Sequence, residues 1–222
     1  MTDIAEASPP AQRPARSKRG EASRAALLAA AARVFAVSGY ADANVNDIVD
    51  QAGMSVGSLY HHFSSKADIY IELFNDYQSR QQHRSARAYR AALAAGERDA
   101  ARLFLAGTRA YLEGAWQDRH VARIFMPGGG PPGFDHLLRQ QFRTWVINNT
   151  DGLGSKAEEL GPTLLLILTA VSNEAGRDVA VQTSKARATA FIDEVLQYMS
   201  QLRPLPERQT RGRGPSGPVQ IA

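Results

Sequence analysis

The sequence contains no cysteine among its 222 residues. Disulfides, thiolate metal sites and cysteine nucleophiles are therefore excluded. Long hydrophobic runs are also missing, since the longest, Leu164 to Val171, is much shorter than the roughly 18 to 20 apolar residues that span a bilayer. The first residues include Asp3 and Glu6 and no apolar stretch of signal-peptide length. We therefore expect a cytoplasmic protein with no membrane partner.

Positive charge is scarce in the central part of the chain. The formal net charge is +4. Residues 1–24 hold five basic and three acidic side chains, and residues 203–222 hold four basic and one acidic. The residues between them therefore carry a net charge of −1, so the overall charge does not identify what the folded part binds.

The composition predicts an all-α protein, because helix-forming residues abound and no long stretch alternates apolar and polar residues. Prolines predict an irregular arm over residues 1–20 and an irregular tail over residues 204–222. Capping residues and glycines predict helices at about 21–37, 44–52, 55–63, 65–95, 97–117, 120–126, 135–149, 155–178 with a break at Gly161-Pro162, and 184–202. Residues 127–133, rich in glycine and proline, predict a loop.

The second and third predicted helices have the spacing of a helix-turn-helix, with Gly53 in the turn between them. Glycine suits a turn position that needs positive φ. The apolar residues Ile48 and Leu59 would hold the two helices together. Taken alone, this pattern also fits an ordinary helical hairpin.

A wider set of spaced motifs resembles the amino-terminal domain of the tetracycline-repressor (TetR) family. It consists of AARVFAVSGY at 31–40, VNDI at 45–48, AGMSVGSLYHHF at 52–63 and SKAD at 65–68. The resemblance covers about Ser23 to Phe74 and implies a homodimeric transcription regulator that binds operator DNA and a small-molecule effector. It implies a DNA-binding head at 21–66 and a helical effector-binding and dimerisation body at 67–203.

The third helix would enter the major groove with its first turn. Gly57 and Ser58 would permit close approach to phosphates, and Tyr60 can donate a hydrogen bond to one. Lys66 would pair with a phosphate as a point charge. Val56 stands where the family often has a basic residue or proline, and it could contact a thymine methyl. The predicted DNA-binding residues are Asn44, Asn46, Ser55, Val56, Gly57, Ser58, Tyr60, His61 and Lys66.

The amino-terminal arm offers cations that the head lacks. Arg13, Arg16, Lys18 and Arg19 could reach a neighbouring minor groove or the DNA backbone. The alternative is a solubilising tail that makes no DNA contact.

The apolar run at 164–171 covers every side of a helix, so one face would meet its own core and another a second chain. The resemblance implies a four-helix bundle across a two-fold axis, and the alternative is a large monomeric core. The predicted dimer residues are Leu164, Ile167, Leu168, Val171, Phe191, Val195 and Met199.

Aromatic residues are concentrated in the middle helices, as expected of a small-molecule cavity between helices. Two arginines among the candidates would suggest an anionic effector, and the loop at 127–133 could gate the cavity. The predicted effector residues are Phe104, Arg109, Trp116, His120, Arg123, Phe125, Phe142, Trp145 and Asn173.

Enzymatic patterns are not found. Apart from the adjacent pair His61-His62, the histidines are isolated and lack metal-ligand spacing, and no nucleophile elbow or phosphate loop occurs. We predict a regulator, most simply a repressor, with no enzymatic activity, no metal and no cofactor. The alternatives are a DNA-binding protein without effector control and a helical interaction module with a vestigial head.

Overall fold

The fold is all-helical, as predicted, and a computed structural model describes it for residues 18–204. Arg13, Arg16 and the tail from residue 205 lie outside the described residues. The elements are α1 (Lys18–Asp42), α2 (Val45–Ala52), α3 (Val56–His62), α4 (Lys66–Ala94), α5 (Ala100–Gln117), α6 (Arg119–Ala122), a 3₁₀ turn (Arg123–Phe125), α7 (Phe134–Leu153), α8 (Lys156–Leu160), α9 (Pro162–Val181) and α10 (Lys185–Met199).

Local capping chemistry sets most helix ends where the sequence predicted them. The Ser55 hydroxyl accepts from the Ser58 N–H at 3.2 Å, and the Ser65 hydroxyl accepts from the Asp68 N–H at 3.1 Å. α1 differs from the prediction, because it begins already at Lys18 and continues to Asp42, although non-helical torsions at Gly39 (φ 70°, ψ 179°) interrupt it near the predicted stop.

Helices α1, α2 and α3 pack around a small apolar core and form the head. Leu27 and Phe35 of α1 are buried with Ile48 of α2 and Leu59 of α3. Gly53 ends α2 in the left-handed conformation, with φ at 66°, as the predicted turn requires. The observed geometry is that of a helix-turn-helix.

Within the described range, α1 alone has the length and apolar composition of a bilayer-spanning helix. Its Leu27, Val34 and Phe35 side chains are buried in the core of the head. A core helix of a folded domain gives the same signal, so the feature is weak evidence for membrane insertion.

An aromatic junction joins the head to the rest of the chain. The ring of Tyr70 on α4 makes edge contacts with Phe35, Tyr40, Phe125 and Phe134 at centroid distances of 5.0 to 5.4 Å. Phe125 was predicted in the effector site, but it is buried here, because the 3₁₀ turn that carries it folds back onto α1 and α4.

The Tyr70 hydroxyl also holds this junction, since it donates to the Ile124 carbonyl at 2.6 Å. Burial, and secondarily the charge of Asp135, raises the pKa of Tyr70 above its ordinary value. The hydroxyl therefore stays protonated and remains a donor at physiological pH.

The body is built on α4 and α5, which pack side by side along much of their length. α9 lies against α5, α7 lies against α9, and α10 covers α5 and α9. α4 belongs to both parts, because it begins beside the head and its 29 residues continue along the body. This single helix therefore connects the two ends of the molecule.

Replacing Tyr70 with phenylalanine should lower the free energy of unfolding by about 1 to 3 kcal/mol, because the buried Ile124 carbonyl loses its donor. Tyr60→Phe is the matched control, since Tyr60 is 52% exposed in the absence of DNA and the loss of its hydroxyl should stay within about 0.5 kcal/mol. Urea unfolding at one fixed protein concentration measures both values. Equal stability of the two variants would contradict a structural role for the Tyr70 hydroxyl.

Candidate DNA-binding surface and body cavity

The outer face of α3 is open to solvent. Leu59 is buried against the head core, whereas Tyr60 is 52% exposed and Val56 and His61 are also exposed. Ser55 is committed to capping the first turn of α3. This face therefore offers an apolar side chain, a phenol and an imidazole together with the backbone of the first helical turn.

A shallow groove lies between this face and the start of α2. Five of the predicted DNA-binding residues come together in its lining, whereas Ser55, Gly57, Ser58 and His61 do not line it. The five are Asn44, Asn46, Val56, Tyr60 and Lys66. Asn44 also caps α2, because its side-chain oxygen accepts from the Asn46 N–H at 2.9 Å.

Lys66 differs from its prediction. Its ammonium donates to the carbonyls of Tyr40, Ala43 and Ala41 at 2.7, 2.9 and 3.1 Å, and it lies 4.6 Å from the Tyr40 ring centroid. An ammonium has three protons, and all three are engaged. This geometry leaves no proton for a phosphate, so we assign Lys66 to neutralising the carbonyl-rich end of α1.

The candidate DNA-binding surface, formed by α2, α3 and the turn between them, is poor in cations. Residues 45–63 include no lysine or arginine, and Asp47 and Asp50 are exposed there. Nearby, the Arg33 guanidinium donates to the Gln51 side chain at 3.0 Å, and Arg24 pairs with Glu72. Backbone N–H groups and neutral side chains are therefore the principal donors that this surface can offer to phosphates.

The body contains an open cavity of about 450 Å³ lined by α4, α5, α7 and α9. Exposed lining residues lie on α4 and α7, which share little contact, so we place the mouth between these helices. The buried polar lining residues lie on α5 and α9, which we call the floor. Tyr111 of α5 reaches α9 only because position 176 is glycine, since a Cβ there would lie 2.5 Å from the Tyr111 hydroxyl oxygen. The volume is within the range of small-molecule sites in proteins.

Four of the predicted effector residues line this cavity. They are Phe104 on α5, Phe142 and Trp145 on α7, and Asn173 on α9. The ring of Trp145 meets that of Tyr111 edge-on at 5.2 Å.

The other five predicted effector residues are elsewhere. Arg109 forms an ion pair with Asp193 of α10 at 2.8 Å, and the Arg123 guanidinium donates to the Ala180 carbonyl at 2.7 Å. Trp116 lies against the Arg119 guanidinium. His120 is exposed on α6, and Phe125 belongs to the aromatic junction. The two arginines that would suggest an anionic effector therefore lie outside the cavity lining.

The sequence prediction missed the contributions of α4 and most of those of α9. From α4 the cavity is lined by Gln82, Ser85, Ala86, Tyr89 and Arg90, which share one helical face. On α9 the missed residues are Thr169 and Ser172, beside Asn173. The sequence contained a sign of this face, because Ser172 and Asn173 lie three and four residues after Thr169, the one polar residue in the apolar run at 164–171.

The predicted dimer residues divide into two groups. Leu164, Leu168 and Met199 are buried in the core of their own chain, with Leu168 only 1% exposed, so they are not available to a partner. Ile167, at 45% exposure, and Val171 face outward, while Phe191 and Val195 are half-buried. Leu166 and Tyr198 are also exposed on α9 and α10, although the sequence prediction did not include them.

Among the described residues, no group of three or more histidine, aspartate or glutamate side chains is placed to hold a metal ion. Among the described residues that line the cavity, Arg90 and Asp151 are the two that carry a charge at neutral pH, and both are exposed.

Comparison with known proteins identifies the head. Residues 27–73 match the family described as bacterial regulatory proteins, tetR family. The head therefore carries the sequence pattern of the TetR family's DNA-binding domain. The HTH-type transcriptional regulator YdgC of Bacillus subtilis is 47% identical over 62 residues, which is 28% of this chain and 32% of that protein. The HTH-type transcriptional repressor KstR2 of Mycobacterium tuberculosis is 46% identical over 61 residues, 28% of each protein.

These matches span about a third or less of the relatives' own lengths, and their extent corresponds to that of the head. The fold is similar over most of the chain. The transcriptional regulator FadR of Bacillus subtilis, solved in complex with stearoyl-CoA, superposes with a TM-score of 0.64 at 18% identity, covering 80% of this chain and 97% of FadR. At this identity the likeness establishes the fold alone.

Lys66→Met should lower the free energy of unfolding by about 1 to 3 kcal/mol, because three carbonyls lose a charged donor while the side-chain stem is kept. Lys185→Met, at an exposed position on α10, is the control and should change little. Chemical unfolding measures the stabilities.

The same variant separates the structural role from a phosphate contact. At a temperature where all proteins are folded, the salt dependence of binding to a DNA duplex should be the same for Lys66→Met and wild type. An unchanged stability with a salt slope lowered by about 0.9 would instead assign Lys66 to a phosphate.

Proposed function

We propose that this protein is a homodimeric, ligand-responsive transcriptional regulator of the cytoplasm, without enzymatic activity, that represses genes by binding a pseudo-palindromic operator. The observation that carries the proposal is the exposed face of α3 on a TetR-type head, joined by one helix to a body that contains a cavity. The same kind of head occurs in KstR2, which is described as a repressor.

DNA recognition is assigned to α3, which enters the major groove with its amino-terminal turn. Val56 would contact a thymine methyl, and Tyr60 would donate to a phosphate or pack on a sugar. His61 and Asn46 flank them, and Gly57 and Ser58 allow close approach of the backbone. Because residues 45–63 lack lysine and arginine, we expect apolar and hydrogen-bonding contacts to contribute more than ion pairs.

Dimerisation is assigned to the outward faces of α9 and α10. Leu166, Ile167 and Val171 form an exposed apolar strip on α9, and Tyr198 is exposed on α10. A two-fold axis beside this strip would bury it against its own copy and present two heads to half-sites roughly 34 to 36 Å apart.

Control by a small molecule is assigned to α4. This helix lines the cavity with Tyr89 and Arg90 and enters the aromatic junction with Tyr70 and Phe74. A ligand that alters the position of α4 would therefore alter the position of the head. A coupling free energy of about 1 to 3 kcal/mol is typical of such linked sites.

The alternatives explain fewer of these features. A DNA-binding protein without effector control has no need of a cavity of about 450 Å³ lined by several aromatic rings. An interaction module with a vestigial head leaves the exposed Val56 and Tyr60 on α3 without a role.

Tyr60→Ala should weaken binding to the DNA that flanks the coding region at least about tenfold, because a contact of the recognition helix is worth about 1 to 3 kcal/mol. His136→Ala, an exposed position on α7, should bind like wild type. Gel-shift titration measures both. Wild-type affinity of Tyr60→Ala would count against docking through α3, and no shift with wild-type protein would favour the interaction module.

Ile167→Glu should convert the dimer to a monomer at micromolar concentration, because it would bury a charge in the apolar strip. Ile147→Glu is a matched control, since Ile147 is 58% exposed on α7 and is not part of the apolar strip. Analytical ultracentrifugation distinguishes the two. A wild-type monomer, or an Ile167→Glu dimer, would contradict the assigned interface.

A further inference from the structure

We infer that the cavity takes an uncharged, largely apolar molecule whose hydroxyl or carbonyl group meets the floor formed by α5 and α9. The inference rests on the proposed function, because it names the chemical class of the effector in that same cavity. It follows from where polar, charged and aromatic side chains lie around the cavity.

The floor of the cavity is polar although the helices around it are rich in apolar residues. The described part of the chain buries four polar side chains, and three of them line this cavity: Thr108, Thr169 and Ser172. Thr169 is only 2% exposed. The three residues that α9 contributes to the lining, Thr169, Ser172 and Asn173, are all polar.

The hydrogen bonds of the floor leave capacity for a ligand. The Ser172 hydroxyl donates to the Leu168 carbonyl at 2.8 Å, so Thr108, 3.3 Å away, is the donor of their mutual bond. Thr169 accepts from the Asn149 amide at 3.1 Å and keeps its own proton to donate. The Asn173 side chain makes no hydrogen bond to another described residue. The floor therefore offers a donor and an amide, both uncharged.

Charge is confined to the outside of the cavity. Arg90 and Asp151 are the only ionised side chains among the described residues that line it, both are exposed, and their charges are opposite. A carboxylate or ammonium carried to the floor would lose its water and find no counter-charge. An ionised group is therefore excluded from the deep part of the cavity.

Aromatic rings form much of the rest of the cavity lining. Phe104 and Tyr111 line it from α5, and Phe142 and Trp145 line it from α7. Such a lining favours an apolar body, and flat rings in particular. A fatty-acyl chain that entered methyl-first would instead press its end against Thr169 and Asn173, leaving the Thr169 hydroxyl proton and the Asn173 amide without an acceptor or donor from the ligand. The cavity is in this respect unsuited to a long-chain acyl thioester, the class of ligand in the FadR complex.

The test compares three probes on the full chain by isothermal titration calorimetry: 4-octylphenol, which is neutral at pH 7, 4-octylbenzoate, which is charged, and decanoyl-CoA. We expect 4-octylphenol to bind at least about tenfold more tightly than the other two. Thr169→Val should weaken 4-octylphenol binding about tenfold, which corresponds to the loss of roughly one hydrogen bond.

Thr144→Val is the matched control, because Thr144 is exposed on α7 and outside the cavity lining, and it should leave the affinity unchanged. Thermal unfolding verifies that each variant is folded, and Asn173→Leu replaces Thr169→Val if that variant is not. Tighter or equal binding of the benzoate or of decanoyl-CoA overturns the inference. No binding of 4-octylphenol up to its solubility limit, or an affinity unaffected by Thr169→Val, overturns it as well.

A gel shift with and without each probe separates this inference from the proposed function. Binding of 4-octylphenol without release of DNA would count against ligand-responsive regulation and leave the ligand class intact. Release of DNA by the charged probes alone would support regulation and overturn the ligand class.

Discussion

The burial of Tyr70 is the constraint on which the rest of this structure depends. Its ring contacts two aromatic rings of α1, on either side of the break at Gly39, one of the 3₁₀ turn and one at the start of α7, and its hydroxyl donates to the Ile124 carbonyl. These segments are distant in sequence and pack around the Tyr70 ring. Because α4 carries Tyr70 and then continues along the cavity, the head and the body share one continuous helix, which is the helix to which the proposed effector control is assigned.

A second constraint acts on α9, because its faces contact the core, the outer surface and the cavity. Leu165 and Leu168 fill the core, Leu166, Ile167 and Val171 face outward, and Thr169 and Ser172 face the cavity. Residues 164–171 are apolar apart from Thr169, because the core face and the outward face both take apolar side chains. Thr169 and Ser172 therefore mark the face that lines the cavity.

Local chemistry was predictable to a large extent. The helix ends were found because Ser55, Ser65 and Gly53 act through bonds to residues three or four positions away. Helix α3 was predicted for the same reason, because Ser55 caps its first turn. Partners distant in sequence were not predictable: Lys66 has the residue type of a phosphate ligand, but its ammonium meets the carbonyls at the end of α1. Arg109 and Arg123 were misassigned similarly, because periodicity does not show which helix a face will meet.

The sequence by itself determined the helical class, most helix boundaries, the position of the helix-turn-helix and its likeness to the TetR family, since all of these depend on residues close together in the chain. Only the tertiary structure decided that Phe125 packs in the aromatic junction beside the head and that Leu164 and Leu168 belong to the core of their own chain. It also decided that neutral polar side chains line the floor of the cavity. The physical reason is that these assignments depend on how long helices are rotated and placed against one another, which packing across the whole chain determines.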